Sequence, residues 1–304
     1  MSDLAPPAWL WIVCTVAAAS VQTLRNAMQR SLTEQVGTVG ATHVRFLFGL
    51  PFGLLFLGLI ATFTDLSTLQ RSADFFLWTA AGGVCQILAT ALMLAAMREH
   101  SFVVSIAYLK TEPVQIALFG LVFLGEWLSA GGIAAILLAT VGVVLMSMPG
   151  VRPTPARLPR AALFGIAAGA MFALSAVGFR GAILALGDGP FHARASLTLV
   201  VALAIQTSLL SAWLLWRDRG VLAAIFRLWR SSLVAGFAGA LASQMWFLAF
   251  ALQSAAAVRT LGLIEILFAQ AVSHKLFAQG TTRREAIGMT LMVAGLAWLM
   301  LAAS

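Results

Sequence analysis

Two glutamates lie inside apolar runs of this chain, where a carboxylate either carries a function or is tied to a partner. Glu112 sits near the middle of the run at residues 102–124. Ser105, Tyr108 and Gln115 fall on its helical face at i−7, i−4 and i+3, and Tyr108 is the only tyrosine. Glu265 is its counterpart in a later run, 153 positions on. A carboxylate at lipid depth costs several kcal/mol unless it faces protein or water, so both should look away from the acyl chains. Two readings stand open for each. The carboxylate binds a substrate ammonium or takes up a proton, with low dielectric bringing its pKa toward the working range; or it is tied down, Glu112 by a hydrogen bond or an arginine of a neighbouring helix and Glu265 by an arginine of another span. Pro113, next to Glu112, removes a backbone donor and frees a carbonyl one turn earlier.

Other polar residues at this depth extend the candidate binding set. Gln22, Arg25, Asn26 and Gln29 share one face of the first run, and Arg25 could hold a substrate carboxylate in a bidentate fork or pair with a glutamate. Lys110, two residues from Glu112, points to another face and needs either a partner, first of all a carboxylate of another helix, or a shifted pKa. Arg259 is too oblique for a local pair with Glu265. Gln86 and Gln244 suit helix-to-helix hydrogen bonds, and Trp246 offers an aromatic wall. The substrate-binding and coupling set is therefore Glu112, Glu265, Tyr108, Gln115, Arg25, Lys110, Gln86, Gln244 and Trp246. No catalytic or metal-binding residue is assigned, and no cofactor is expected. The four histidines are scattered, His43 and His192 lie near run ends, and Cys14 and Cys85 sit at no metal spacing. No GxxxxGK[ST] loop is present, which argues against ATP as the direct energy source.

The elements that position these residues are apolar throughout. Of 304 residues, 61% are hydrophobic and only 10% charged, with a mean hydropathy of +0.95. Such a surface is not built for water, which excludes a soluble enzyme, a disordered chain and a nucleic-acid binder. Crossing about 30 Å of hydrocarbon takes roughly 20 helical residues. Ten runs qualify, near 9–28, 41–62, 75–97, 102–124, 129–148, 161–184, 192–216, 232–253, 256–277 and 285–303. The N-terminal stretch Met1-Ser2-Asp3-Leu4-Ala5-Pro6-Pro7 has no basic segment, so the first run is expected to stay as a span rather than be cleaved.

A polar segment at 149–160, with four prolines and three arginines, divides the chain almost at its midpoint. The expected architecture is all-α: two five-helix halves at 9–148 and 161–303. An odd number of spans per half makes them enter the membrane from opposite sides, around a central cavity. Shifting residues 75–146 by 153 sets Gly83 on Gly236, Glu112 on Glu265 and Gly142 on Gly295. The polar stripe Thr79, Gly83, Gln86, Thr90 is matched by Ser232, Gly236, Gly239, Ser243. Gly49/Gly53 and Gly165/Gly169 are spaced for close backbone approach.

In the first half, Glu112-Pro113 opens the second part of span 4. Phe123-Leu124-Gly125-Glu126 closes it before a fifth span bearing Gly142, and Arg45 stands near the start of span 2. These features resemble the drug/metabolite transporter superfamily, in its ten-helix members built from two EamA repeats. In the second half Ile266 replaces Pro113 and Ala278-Gln279 replaces Gly125-Glu126, while Gly288 and Gly295 fit. The resemblance implies a secondary transporter, often an exporter of amino acids or other small metabolites, working by alternating access; it does not carry a substrate. A flippase of a lipid-linked carrier is the alternative, with Arg25, Arg45 and Lys110 as its basic site. A membrane-embedded enzyme is disfavoured by the lack of a His–acid or serine constellation. The expected partners are a small-molecule substrate, a proton as candidate coupling ion and the bilayer, with no nucleic acid. The expected state is monomer or homodimer in a cell membrane of the bacterial inner-membrane type.

Arginines favour the cytoplasmic side of short connections. They cluster after spans 1, 5, 7 and 9, at Arg30, at Arg152, Arg157 and Arg160, at Arg217, Arg219, Arg227 and Arg230, and at Arg283 and Arg284. Both termini are therefore expected on the other side. A reporter fused after Ser304 should read non-cytoplasmic, and a cytoplasmic signal would overturn this orientation.

Overall fold

The computed structural model describes residues 6–98, 109–147, 158–268 and 282–302, with side chains described except at 26–31, 94–98 and 158–162. Helices are α1 (Leu10–Leu47), α2 (Gly49–Ala61), α3 (Ala73–Arg98), α4 (Glu112–Leu124), α5 (Ala130–Ser147) and α6 (Leu158–Ala185). They continue as α7 (Phe191–Arg217), α8 (Arg219–Arg227), α9 (Trp229–Leu252), α10 (Ala255–Leu261) and α11 (Arg283–Ala302). No strand occurs among the described residues. Helices satisfy every backbone group within one segment, which hydrocarbon demands. Among the described residues, seven stretches are long and apolar enough to cross a membrane: Leu32–Ala61, Ala73–Met93, Ala130–Ser147, Leu163–Ala185, Phe191–Arg217, Trp229–Leu252 and Arg283–Ala302. Leu10–Arg25 and Glu112–Leu124 are shorter apolar helices.

Several boundaries differ from those expected of the sequence. The first helix does not stop near residue 28. It runs on to Gly37, whose φ of 68° and ψ of 178° break it, and helical structure resumes to Leu47. Only glycine occupies that conformation at little cost, so Gly37 divides the stretch into two helical segments. The helix α6 begins at Leu158, inside the segment read as a linker, with Pro159 in its first turn, where a missing N–H costs nothing. Between α7 and α9 the chain makes a separate nine-residue helix, α8, where the sequence reading had only a connection rich in arginine.

The structure divides into two compact units, each drawing on both halves of the chain. Unit 1 comprises residues 1–16, 85–177 and 253–304; unit 2 comprises residues 17–84 and 178–252. In unit 1, α5 and α11 pack antiparallel with their backbones in contact. A Cβ on Gly142 would lie 2.5 Å from Met292 N and 2.6 Å from Gly288 O, and one on Gly295 would lie 2.5 Å from Ala139 N. The three glycines are what allow this approach, and Val143, Met292 and Leu296 fill the space beside them.

In unit 2, α2 lies against α7 and α9. Gly53 faces Leu203, and Gly49 faces Leu203, Ala240 and the Gly236 carbonyl. Gly83 of α3 meets Gln206 of α7, and Gly236 of α9 meets Phe48 just before α2. Gly82 and Gly178 bring α3 and α6 to backbone contact.

Adding a methyl group where backbone blocks it should therefore be costly. Gly142→Ala and Gly295→Ala are each expected to destabilise the protein by about 1–3 kcal/mol. Gly58→Ala, where a Cβ would meet nothing within 4 Å, should be neutral or slightly stabilising by helix propensity. Chemical unfolding in mixed micelles compares the three.

Candidate functional site

The two glutamates lie in unit 1, Glu112 at the start of α4 and Glu265 just after the 3₁₀ turn that follows α10. Residues 110 and 111 form a turn, and α4 starts at Glu112 with Pro113 in its first turn. Proline cannot continue the preceding helix, because its ring collides with the carbonyl four residues back. That carbonyl belongs to Leu109, and it faces α6, 3.4 Å from where a Cβ of Gly169 would sit. The carbonyl freed by Pro113 is thus seated against a glycine. At the other end Gly125, at φ 64°, closes α4 by donating to Gly120 O and Leu121 O.

Glu265 has no neighbouring proline. The helix α10 tightens into a 3₁₀ turn over Gly262–Ile264, and helical residues resume at Glu265. Glu112 therefore lies in the first turn of α4, where the helix dipole favours negative charge, whereas the Glu265 N–H is already bonded within the 3₁₀ turn, to Gly262 O.

Each carboxylate is also paired with a cation of the other helix. Lys110 Nζ donates to Glu265 Oε1 at 2.8 Å. Nε and Nη2 of Arg259 both reach Oε1 of Glu112, at 2.9 and 2.7 Å. The four side chains are 12–22% exposed, sheltered but not sealed. Together the pairs carry no net charge and join α4 to α10 and the segment after it. An isolated charge here would lose its hydration without compensation; a pair with short charge-assisted bonds recovers most of that loss.

Of the residues expected at a site, the structure thus brings Lys110, Glu112 and Glu265 together. Gln115 is one turn beyond Glu112, and its Nε2 donates to Thr111 Oγ1 at 3.1 Å. Tyr108 and Ser105 lie outside the described residues, as do Ala278 and Gln279. Gln86 is half-buried in α3 of unit 1. Arg259 was passed over because it does not meet Glu265 locally. The signal that could have found it is that an arginine within an apolar run requires an acid on some other helix.

The remaining expected residues sit in unit 2. Arg25 and Arg45, on either side of the Gly37 break, converge on Gly239, where a Cβ would lie 3.0 Å from Arg45 Cγ and 3.7 Å from Arg25 Cδ. Arg25 is buried, and Arg45 Nη2 donates to Ser243 Oγ at 3.3 Å. Trp246 Nε1 donates to Gln22 Oε1 at 3.1 Å, and Gln244 Nε2 to Ser196 Oγ at 2.7 Å. His43, expected near an interface, is fully buried and hydrogen-bonded to Ser211 at 3.1 Å. Gln206 was not singled out, yet its buried amide donates to the Gly83 carbonyl at 3.3 Å, made reachable by the missing side chain.

A double-mutant cycle measures the Lys110–Glu265 pair. Lys110→Met and Glu265→Gln should each lower the unfolding free energy, and the double variant should fall short of additivity by about 0.5–3 kcal/mol, the range for contacting groups. Additive losses would mean that the pair contributes nothing of its own.

Comparison with known proteins places this geometry. No curated protein matches the chain. A solved crystal structure that covers 96% of this chain and 98% of its own shares the fold, with a TM-score of 0.71 at 17% identity. Residues 8–148, which include α4 and its Glu112 break, match the EamA-like transporter family. The first half of the chain is thus similar to the EamA-like transporters of the drug/metabolite transporter superfamily.

Proposed function

We propose that the protein is a secondary transporter that exports small polar metabolites such as amino acids by alternating access, without ATP. The observation that carries this reading is the pair of reciprocal ion pairs in unit 1. Glu112, at the start of α4, and Glu265, just after the 3₁₀ turn that follows α10, each have a flexible cation as partner. Interrupted helices with charged groups at the break are a recurrent way to build a transport site. Such a carboxylate can exchange its side-chain partner for a substrate ammonium or for a proton, because either supplies the same counter-charge. An amino acid carries both signs, so it can enter between Arg259 and Glu112 and leave both charges paired.

Two inverted five-helix repeats, 9–148 and 161–303, are part of the proposal. Reciprocity of contacts supports them. Glu112 of the first half meets Arg259 of the second, and Glu265 of the second meets Lys110 of the first. Gly83 of α3 packs on α7, and Gly236, its counterpart in α9, packs on the start of α2. Within the proposal Arg25, Gln86, Tyr108, Gln115, Gln244 and Trp246 stay in the substrate-binding and coupling set, the membrane is a cell membrane, and both termini are non-cytoplasmic. A flippase of a lipid-linked carrier is the second reading. It is favoured by the convergence of Arg25 and Arg45 at Gly239, which suits a phosphate headgroup.

Uptake into proteoliposomes, screened over amino acids and polyamines with and without a pH gradient, tests both readings. Glu112→Gln is expected to lower the transport rate at least about tenfold, or to uncouple it from the gradient, with folded protein retained; tenfold is about 1.4 kcal/mol on the barrier. Wild-type rates in both Glu112→Gln and Glu265→Gln would assign the carboxylates to structure. Transbilayer movement of a lipid-linked sugar, with no uptake of soluble metabolites, would favour the flippase.

A further inference from the structure

The short helix α8 has two unlike faces. Val221, Leu222, Ala224, Ile225 and Leu228 turn inward, and Ile225 is fully buried against the Val44, Leu214 and Ala235 cluster. The outward stripe, at helical spacing, is Arg219, Ala223, Phe226, Arg227 and then Arg230. The helix is held at its start by Asp218, which accepts from Gly220 N and Val221 N at 3.1 and 3.3 Å. Because Asp218 is engaged as a cap, four arginines (Arg217, Arg219, Arg227, Arg230) face one aspartate in this segment.

Water alone does not account for the outer face. Trp216, Phe226 and Trp229 are 79, 57 and 51% exposed among these arginines, and the Arg230 guanidinium lies 5.4 Å from the centre of the Trp229 ring. Both flanking helices, α7 and α9, are long and apolar enough to cross a membrane, so α8 lies where the bilayer ends. Tryptophan and arginine together belong at that depth, the ring among glycerol and upper acyl groups and the guanidinium at the phosphates. A helix with one face on the protein and the other both aromatic and cationic is built to lie in the headgroup layer. The acids of unit 2 fit this polarity: Asp65, Asp74 and Asp188 lie beyond the far end of α7, and only Glu34 and Asp218 are near this one.

We propose that α8 and its flanks form a binding platform for anionic phospholipid headgroups, with Arg217, Arg227 and Arg230 holding the phosphates and Trp216, Phe226 and Trp229 set among the chains. The platform is independent of what the protein transports. It fixes the depth and tilt of the α7–α9 hairpin by attachment to lipid, and it makes the order of that end depend on the charge of the leaflet.

The full-length protein, reconstituted in vesicles of phosphatidylglycerol and phosphatidylcholine with the bromine label on one lipid or the other, tests this by tryptophan quenching. The share of Trp216 and Trp229 is obtained by difference from a Trp216→Phe/Trp229→Phe variant. Those two tryptophans should show about a fivefold preference for phosphatidylglycerol, modest for several arginines each worth up to about 1 kcal/mol. The preference should fall to near unity in Arg217→Gln/Arg227→Gln/Arg230→Gln and persist in the corresponding triple lysine variant. It should also collapse in about 1 M salt, where the Debye length is about 3 Å. Equal quenching by the two lipids, no quenching by either, or a preference that survives the glutamine substitutions would overturn the proposal. Should the glutamine variant not fold, the salt titration of the wild type decides, and a salt-insensitive preference overturns it.

Discussion

A charged side chain at the centre of a hydrocarbon layer costs roughly 2.5–3.5 kcal/mol on insertion scales, and one buried unpaired inside a protein is costly too. In unit 1 four charges occur on two apolar segments, and each is paired. Each acid of one helix meets a base of the other, so that insertion of either helix alone is penalised and their association is favoured. The backbone follows the same logic at Glu112, which lies in the first turn of α4, where the helix dipole favours a negative charge. Local backbone, charge pairing and helix association thus favour one arrangement.

Around this polar centre the packing is unusually close. The contact of α5 with α11 has backbone atoms where most helix pairs have side chains, and it depends on Gly142, Gly288 and Gly295. Lipid gives little hydrophobic drive for helices to associate, so van der Waals contact and interhelical hydrogen bonds must hold them. The glycine-lined interface gives unit 1 a stiff pair of helices beside a pair joined by exchangeable ionic contacts. A stiff frame next to a weaker, charge-dependent joint is a combination that a transporter can use. In unit 2 the same device appears at Gly49, Gly53, Gly82 and Gly178, and there the polar contacts are mostly neutral amide and hydroxyl bonds.

Much of this could be read from the residues. Helix content and seven of the apolar spans follow from run length and periodicity. Lys110 was expected to find a carboxylate on another helix because its face differs from that of Glu112, and it does. What escaped the reading is set by contacts far apart along the chain. The partnership of Arg259 with Glu112 spans 147 residues, and nothing in local spacing points to it. His43 was placed near an interface from its position in a run, but the fold of unit 2 closes over it. The extent of α1 depended on the dihedral angles of one glycine. The helix α8 was obscured by its arginines, which drew attention to charge and away from the 3–4 spacing of Val221, Ile225 and Leu228.

The account rests on the mutual neutralisation of the α4 and α10 charges, and exchanging the two members of one pair tests it most directly. Glu112→Arg alone would place three cations and one acid together, and Arg259→Glu alone three acids and one cation. Each should abolish monodisperse, folded protein after extraction from the membrane. The combined Glu112→Arg/Arg259→Glu variant restores neutrality, although it gives up the favourable carboxylate at the start of α4, and should recover most of the folded yield. A double exchange as damaged as either single one, or single reversals that fold like the wild type, would contradict the claim that these charges exist to balance one another.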